Sequence, residues 1–429
     1  MRGTIRNSGA AGSLGTAVCT PVPFCANMGV VTIQPPLRDA AVRRRTTAAG
    51  IVSLWSDRAG TGAFVAAVAE AAAAGGFALG IVWYSRSRHE GAALARGLAE
   101  AAPALEVVGC STAGEITPDG LQGGGALAVL LPAARFEVRV ALLERIDRLG
   151  VEEIAERAAA ARRALGAPAA RSFALALMDG MTFAEEATAA ALQRGLDDVE
   201  LVGGSAGDGT RFATTEQLAG GRVHERATVL ALLATSLPFR TFSDNNFVPT
   251  DTKLVVTRAD VDRRVLHELD AEPAADAYAA ALGVARDALD VSLFATRPLV
   301  LRIGGEYYCR SVRALHPDGS LSLYCAIDVG LVLTLAKSEG MVRASSAMLD
   351  ALETEIGPPD CLLGFDCLHR RLDAEQRGVT ARMEALLMER RFVGFNTYGE
   401  QYRSMHLNQT FTGVAFGAPP PAVADGGAP

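Results

Sequence analysis

The chain has 429 residues, 49% hydrophobic and 21% charged, more than a single core absorbs, so two domains are expected. Its formal net charge of -7 gives no broad basic field and argues against nucleic acid as a partner. Seven cysteines without a short-range framework read as reduced thiols of a cytoplasmic protein rather than a secreted disulfide scaffold.

Residues 1–49 read as a mostly disordered extension. Met1 to Asn27 carries Arg2 and Arg6, then Gly, Ser, Thr and Pro, without the apolar run of a signal peptide. Met28 opens better-patterned sequence and is an alternative translation start. The longest apolar candidate, Ala63 to Val82, is broken by Glu70, Gly75 and Gly76. It reads as a helix running into a strand, and no membrane span is expected.

From Gly50 onward short apolar runs alternate with Ala-rich helical stretches, which predicts a layered α/β domain over residues 50–240. Strands are expected at Ala78–Tyr84, Glu106–Gly109, Ala126–Leu131, Phe136–Leu143 and Ser172–Met178. Helices are expected at His89–Ala102, where Leu94 and Leu98 share a face, and at Val151–Leu165. Around Pro238–Thr250 aromatic, Asn, Asp and Pro residues replace the Ala-rich alternation, and a second domain is expected over 241–417. Its predicted strands are Leu254–Arg258, Pro298–Ile303, Tyr307–Val312, Leu321–Ile327, Phe392–Tyr398 and Thr410–Phe416, with Asp318-Gly319 as a turn. Its predicted helices are Ala271–Leu282, Lys337–Ile356 and Asp373–Met388, and residues 418–429 read as a disordered tail. The fold class is therefore α/β, with two domains that are each a β-sheet flanked by helices.

Several strand exits carry small or reactive residues. Gly109-Cys110-Ser111-Thr112-Ala113-Gly114-Glu115 reads either as a tight strand exit or as an anion-binding nest of backbone amides. Leu201-Val202-Gly203-Gly204-Ser205-Ala206-Gly207-Asp208 repeats the idea, but neither GKS/GKT nor a completed G-x-G-x-x-G follows, so nucleotide binding is not implied. Gly114, Gly203, Gly204 and Gly207 are expected to serve backbone conformation or backbone contact with a ligand. In Asp179–Glu186, Thr182 reads as a helix N-cap with Glu185 as its capping-box partner. Glu185 and Glu186, about 100° apart on a helix, do not make an acid–base pair.

Gly364-Phe365-Asp366-Cys367-Leu368-His369-Arg370 and Gly394-Phe395-Asn396-Thr397-Tyr398-Gly399-Glu400-Gln401 place reactive side chains after apolar strands. Cys361, Cys367 and His369 lack zinc spacing and a fourth ligand. Cys367 is either a buried structural thiol or a nucleophile that needs a base. Arg370 is expected to pair with Asp366 or Glu400. His406 lies in a polar connector, Tyr402–Thr410, and reads either as a hydrogen-bonded loop histidine or as a metal ligand; His89, His267, His316 and His369 have weaker contexts.

Taken together and in order, GCSTAGE (109–115), DGMTFAEE (179–186), LVGGSAGD (201–208), GFDCLHR (364–370), GFNTYGEQY (394–402) and MHLNQTFTG (405–413) resemble the paired FIST N and FIST C sensory domains, over residues 50–417. The chain is most similar to the nitric-oxide-sensing haemoprotein (NosP) branch. That resemblance implies a cytoplasmic, non-enzymatic sensor. It would bind haem b non-covalently, with His406 on the iron and Tyr402, Asn408 and Gln409 around it. It would respond to nitric oxide and regulate a separate histidine kinase or cyclic-di-GMP enzyme, and it is a candidate homo-oligomer. Cys110, Ser111, Thr112, Gly114, Glu115, Gly203, Gly204, Ser205, Asp208, Asp366, Cys367, Arg370, Tyr398 and Glu400 are its candidate ligand-binding or conformational residues. The competing readings are a haem-free FIST sensor of a small ligand such as an amino acid, and a cysteine-dependent hydrolase using Cys367 beside Asp366.

Overall fold

The computed structural model describes residues 41–419. The expectations for residues 1–40, for Met28 and for the tail from 420 lie outside the described residues.

The chain repeats one structural unit three times. The first comprises β1 (Arg43–Thr46), β2 (Val52–Ser56), α1 (Thr61–Ala73), β3 (Phe77–Tyr84), α2 (Gly91–Ala101), β4 (Val107–Ser111), the hairpin β5 (Glu115–Thr117) and β6 (Gly120–Gln122), and β7 (Ala126–Pro132). The second comprises β8 (Phe136–Leu143), α3 (Val151–Leu165), β9 (Ser172–Met178), α4 (Glu185–Leu196), β10 (Glu200–Ser205), the hairpin β11 (Gln217–Ala219) and β12 (Arg222–His224), and β13 (Thr228–Thr235).

The third opens with β14 (Phe239–Asp244) and is interrupted by an insertion. The insertion holds β15 (Phe247–Asp260), β16 (Val265–Leu269), β17 (Glu272–Pro273), α5 (Ala274–Leu282), α6 (Val291–Thr296), β18 (Leu299–Ile303), β19 (Glu306–Arg310), β20 (Val312–Leu315), β21 (Leu321–Leu323) and β22 (Val332–Ser338). The unit then resumes with α7 (Met341–Ile356), β23 (Pro359–Cys367), α8 (Leu368–Gln376), α9 (Thr380–Glu389), β24 (Phe392–Thr397), the hairpin β25 (Glu400–Tyr402) and β26 (Met405–Leu407), and β27 (Phe411–Gly417).

In each unit two strands run parallel across a helical crossover: β3 with β4, β9 with β10, and β23 with β24. The last strand of the unit, β7, β13 or β27, returns antiparallel beside the first of that pair. The opening strand, β2, β8 or β14, lies outside it. The hairpins leave their own units. β5–β6 joins the third sheet at β24, β11–β12 joins the first at β4, and β25–β26 joins the second at β10. The edge at the second parallel strand of each sheet is thereby covered by another unit, which pairs backbone groups that would otherwise be left open.

The fold is α/β with helix-flanked sheets, as the residue pattern predicts; the first two units end at β13, and the third follows with its inserted sheet. The central strands, among them β4, β9, β13, β24 and β27, are buried on both faces, as sheets covered on both sides require. Their inner faces share one core, where Trp83 meets Phe395 at 5.6 Å and Phe365 at 6.5 Å between ring centroids. Each such buried side chain contributes about 1.5–3 kcal/mol. The outer faces are covered by α1 and α2, by α3 and α4, and by α7 and α9. One glycine recurs in the second parallel strand of every unit. A Cβ on Gly109, Gly203 or Gly394 would stand 2.0, 2.3 or 1.8 Å from the carbonyl oxygen of Val82, Ala176 or Gly364 in the neighbouring strand.

Some local expectations change. Arg43–Thr46, expected within the extension, pairs with β2. Lys337 belongs to β22, and Gly340, at φ +102°, separates it from α7. The helix expected at Asp373–Met388 is two helices parted at Gly378, where φ is +65°. Leu254–Arg258 is the middle of the longer β15, whereas the strand from Leu321 ends at Leu323. Tyr307–Val312 is likewise divided between β19 and β20. Thr182 is not a cap: α4 begins at Glu185 after Phe183 at φ +57°, and its N-cap, Ala184, makes no side-chain hydrogen bond.

Candidate functional site

The carboxyl ends of the parallel strands carry nearly all the reactive residues. Ser85, Asp179 and Cys367 hold equivalent places, because their amides donate to Gly125, Ala227 and Thr410 carbonyls at 2.9, 3.0 and 3.1 Å. In two of them the side chain caps the turn that follows: Ser85 Oγ accepts from the Ser87 amide, and Asp179 from the Met181 and Arg226 amides, whereas Cys367, the N-cap of α8, makes no side-chain cap hydrogen bond. Burial pushes the Cys367 thiol well up, which removes the thiolate that a nucleophile requires.

A second recurrence is Gly-x-x-Thr-x-Gly-Glu at 109–115 and 394–400. Thr112 Oγ1 donates to Glu115 Oε1 at 2.6 Å, and Thr397 Oγ1 donates to Glu400 Oε1. Glu400 Oε2 also accepts from the Thr410 hydroxyl at 2.5 Å. Both carboxyls are fully buried, and burial raises Glu115 to about 7 and Glu400 to about 8. Ser111 Oγ accepts from the Glu216 amide at 3.0 Å, and Cys110 is buried in the central core.

The anion-nest reading does not hold. The amides of Ser111, Thr112 and Ala113 donate to carbonyls of Glu216, Tyr84 and Asn396, and those of Ser205, Ala206 and Gly207 to carbonyls of Gly399, Met178 and Ser111. The glycines also differ from expectation. Gly114 has a positive φ, +145°, whereas Gly203, Gly204 and Gly207 do not and are required for space. A Cβ at Gly204 would lie 2.6 Å from Thr397 Cγ2.

Arg370 is buried and pairs with Asp366 at 2.7 Å, not with Glu400. It also donates to Asn246 Oδ1 at 3.0 Å and Ser345 Oγ at 2.9 Å. It thereby joins β23 to the start of the insertion and to α7. A second buried ion pair lies where the insertion meets α4. Arg264 donates to Glu185 at 3.0 Å, to Glu186 at 2.6 Å and to the Tyr324 carbonyl, while the Ala326 amide donates to Glu186 at 2.6 Å. Burial opposes ionisation of Glu186, but His406 and Arg264 outweigh it and hold that carboxyl below its usual range.

Between α8 and the insertion lies a narrow cleft. Cys367, Leu368 and His369 form one wall, Thr397, Tyr398 and Asn408 a second, and the Phe212 and Tyr324 rings cover it. Four of the six motif segments reach this cleft or its cover. Asp208 shapes the cover: its carboxylate accepts from the amides of Phe212 at 2.8 Å and of Ala213 and Thr214 at 3.1 Å, and the Tyr398 hydroxyl donates to it. The Phe212 ring stacks on Tyr398 at 4.3 Å, and Tyr324 meets His369 edge-on at 4.7 Å.

Asn408, 2% exposed, has no partner for its buried Oδ1. His369, 9% exposed, lines the same cleft. Buried polar groups are normally paired, so the Asn408 oxygen marks a place where a small polar molecule completes the bonding. The space left is about 10 Å³, room for one water-sized body.

His406 lies elsewhere. The expected polar connector is the β25–β26 hairpin, with His406 opposite Gln401, whose amide lies 3.1 Å from Nδ1. The ring is buried beneath Gly399, where a Cβ would stand 2.7 Å from Nε2. Tyr402 is on the opposite face of the sheet: it packs on the central core, whereas His406 continues the Gln401–Gly203–Ala176 row toward the helices. Asn408 faces the cleft, and the buried Gln409 has φ +55°. The four residues expected around haem are therefore not gathered about one space, and the packing over Nε2 does not fit a macrocycle. Among the described residues no three His, Cys, Asp or Glu side chains are grouped to hold a metal ion, and no helix is long and apolar enough to cross a membrane.

Residue reading missed Phe212 and Tyr324 and ranked His369 low. An available signal was the internal repetition of Val-Val-Gly-Cys-Ser, Leu-Val-Gly-Gly-Ser and Phe-Val-Gly-Phe-Asn, which aligns the strand exits around the cleft.

The fold and site define a layered α/β protein with a closed cleft at the carboxyl ends of parallel strands, the usual ligand position in such sheets. The chain matches the FIST N domain over residues 78–272 and the FIST C domain over residues 274–403. It is a FIST-domain protein, and these are sensory domains of signal transduction. Among curated proteins, none matches the chain.

Proposed function

We propose that this chain senses a small molecule that enters the cleft between α8 and the Phe212–Tyr324 cover, and that it signals through a conformational change without catalysing a reaction. The observation that carries this reading is the buried, unpartnered Oδ1 of Asn408 in a cleft that His369 also lines. A ligand there must displace Phe212 or Tyr324, because the remaining space holds about one water. Tyr324 is tied through its carbonyl to Arg264, and Arg264 to Glu185 and Glu186 on α4. Cover movement therefore reaches the surface of the second unit. A partner responds only if it binds the two cover positions with different affinity. A separate histidine kinase or cyclic-di-GMP enzyme is the proposed recipient, and a second copy of the chain is an alternative one.

The test is native mass spectrometry of the protein after exposure to a small-molecule extract of cells. A discrete added mass that is lost in His369→Phe supports the cleft, whereas retention in that variant refutes it. The nitric oxide reading rests on resemblance and on the Gln401 contact that fixes the His406 ring; the packing over Nε2 weighs against it. A Soret band that survives gel filtration, shifts with nitric oxide and disappears in His406→Ala would reinstate it. Hydrolysis abolished by Cys367→Ala would reinstate an enzyme.

A further inference from the structure

We infer that the cleft selects an electrically neutral ligand with adjacent hydrogen-bond donor and acceptor atoms, of the primary-amide type, read by His369 and Asn408. This rests on the cleft being the ligand site, as proposed above.

The walls contain no Asp, Glu, Lys or Arg. Moving an unpaired ion into such a place costs far more than a small ligand's contacts return. The nearby charges are already committed. Arg370 is held by Asp366, Asn246 and Ser345, and Asp208 accepts three amides of the cover segment. A free amino acid, with one cationic and one anionic group, would find neither charge matched.

The polar groups present specify the complement. Burial lowers His369 to about 4, so at neutral pH the ring is uncharged and offers one N–H donor and one lone-pair acceptor. Asn408 adds an unpartnered carbonyl oxygen that requires a donor. A ligand must therefore present at least one N–H or O–H and one acceptor, close together. The ring of Tyr324 beside His369, and the stacked pair Phe212 and Tyr398, make the remaining surface flat and apolar, which suits a planar group. With the cover in place the space admits about one water, so movement of Phe212 or Tyr324 sets the size of the group that enters.

Acetamide, acetate and acetamidinium have the same shape and differ in charge. The test titrates each into the full-length protein carrying isotope-labelled histidine and follows the Cε1–Hε1 resonance of His369, assigned with His369→Gln. The expected result is a saturable shift with acetamide in the millimolar range and binding at least about tenfold weaker for the two ions. Asn408→Asp should reverse the order in favour of acetamidinium, a change of selectivity that a structural role for Asn408 does not produce. Acetate or acetamidinium binding the unaltered protein as tightly as acetamide, with the same His369 shift, overturns the neutral-ligand inference and leaves the cleft as a ligand site. Absence of any His369 shift with all three overturns the inference and the cleft assignment together.

Discussion

Thr112 donates its hydroxyl to the Glu115 carboxyl at 2.6 Å, and the repetition of the fold places the same bond between Thr397 and Glu400. Both acids are fully buried and raised, Glu115 to about 7 and Glu400 to about 8, with burial the leading cause. In the unfolded chain each ionises near about 4.3. The folded state therefore binds protons that the unfolded state has released. Stability from this source is complete below about 4.3 and is lost as pH rises through about 7 and 8. Urea unfolding between about pH 5 and pH 9 should show stability falling with pH, by on the order of 1 kcal/mol or more for each acid. Glu115→Gln and Glu400→Gln should each flatten that fall. An unchanged slope in both variants would refute the assignment.

Cys367 takes the place that Ser85 and Asp179 take in the other two units, where the side chain accepts the amide two residues on, but Cys367 itself makes no such bond. Cys367→Ser supplies an acceptor there and should change stability by less than about 1.5 kcal/mol, whereas Cys367→Ala should cost more by leaving a cavity at a buried position. The folded protein should resist thiol alkylation at Cys367, because burial holds the thiol protonated. Rapid alkylation of native protein at that residue would show that the thiol is instead reactive.

Much of the sheet was legible in the sequence, because a continuous apolar run such as Ser172–Met178 and an alternating one such as Phe136–Leu143 match strands at both ends. The fold class followed from the same alternation. What the pattern hides is exchange. Glu115–Thr117 is too short to announce its partner, and it pairs with β24, far along the chain, instead of joining the sheet of its own unit. The breaks at Gly340 and Gly378 were missed because the flanking residues keep helical spacing across them. The candidate site was legible in part. Cys367, Tyr398 and Asn408 were singled out, and the cleft unites them. Phe212 and Tyr324 come from the second unit and the insertion, and only tertiary packing places them over His369. His406 attracted attention through polar neighbours in sequence, yet alternation along β25 and β26 sends Tyr402 and His406 to opposite faces.

The recurrent glycine makes a steric prediction. Gly109→Ala, Gly203→Ala and Gly394→Ala each place a Cβ within 2.3 Å of a neighbouring carbonyl oxygen. Strands so closely paired cannot yield without loss of their ladder, so each variant should lose at least about 1–3 kcal/mol, the range for overpacking. Gly60→Ala is the control, with nothing within 4 Å of its added Cβ. Chemical denaturation of the four variants distinguishes them, and a Gly203→Ala midpoint equal to that of Gly60→Ala would contradict the close approach.

Arg264 is 4% exposed and binds Glu185, itself 5% exposed, together with Glu186 and the Tyr324 carbonyl. Taking these charges out of water is costly, and their mutual attraction offsets the cost only while all partners are present. Arg264→Met removes the cation and leaves two carboxylates facing each other at the start of α4. The expected loss is about 3–5 kcal/mol, the usual result of breaking a buried pair from one side. Glu185→Gln with Glu186→Gln, added to Arg264→Met, removes the uncompensated charge and should recover most of that loss. A double-mutant cycle on these variants measures the coupling directly. It also separates stability from signalling: the recovered triple variant should still bind a cleft ligand, because neither Arg264 nor the two acids line the cleft, but its α4 amides should no longer change hydrogen exchange when ligand binds. Coupling near zero in the cycle, or an undiminished exchange response in the triple variant, would mean that Tyr324 reaches α4 by some route other than Arg264.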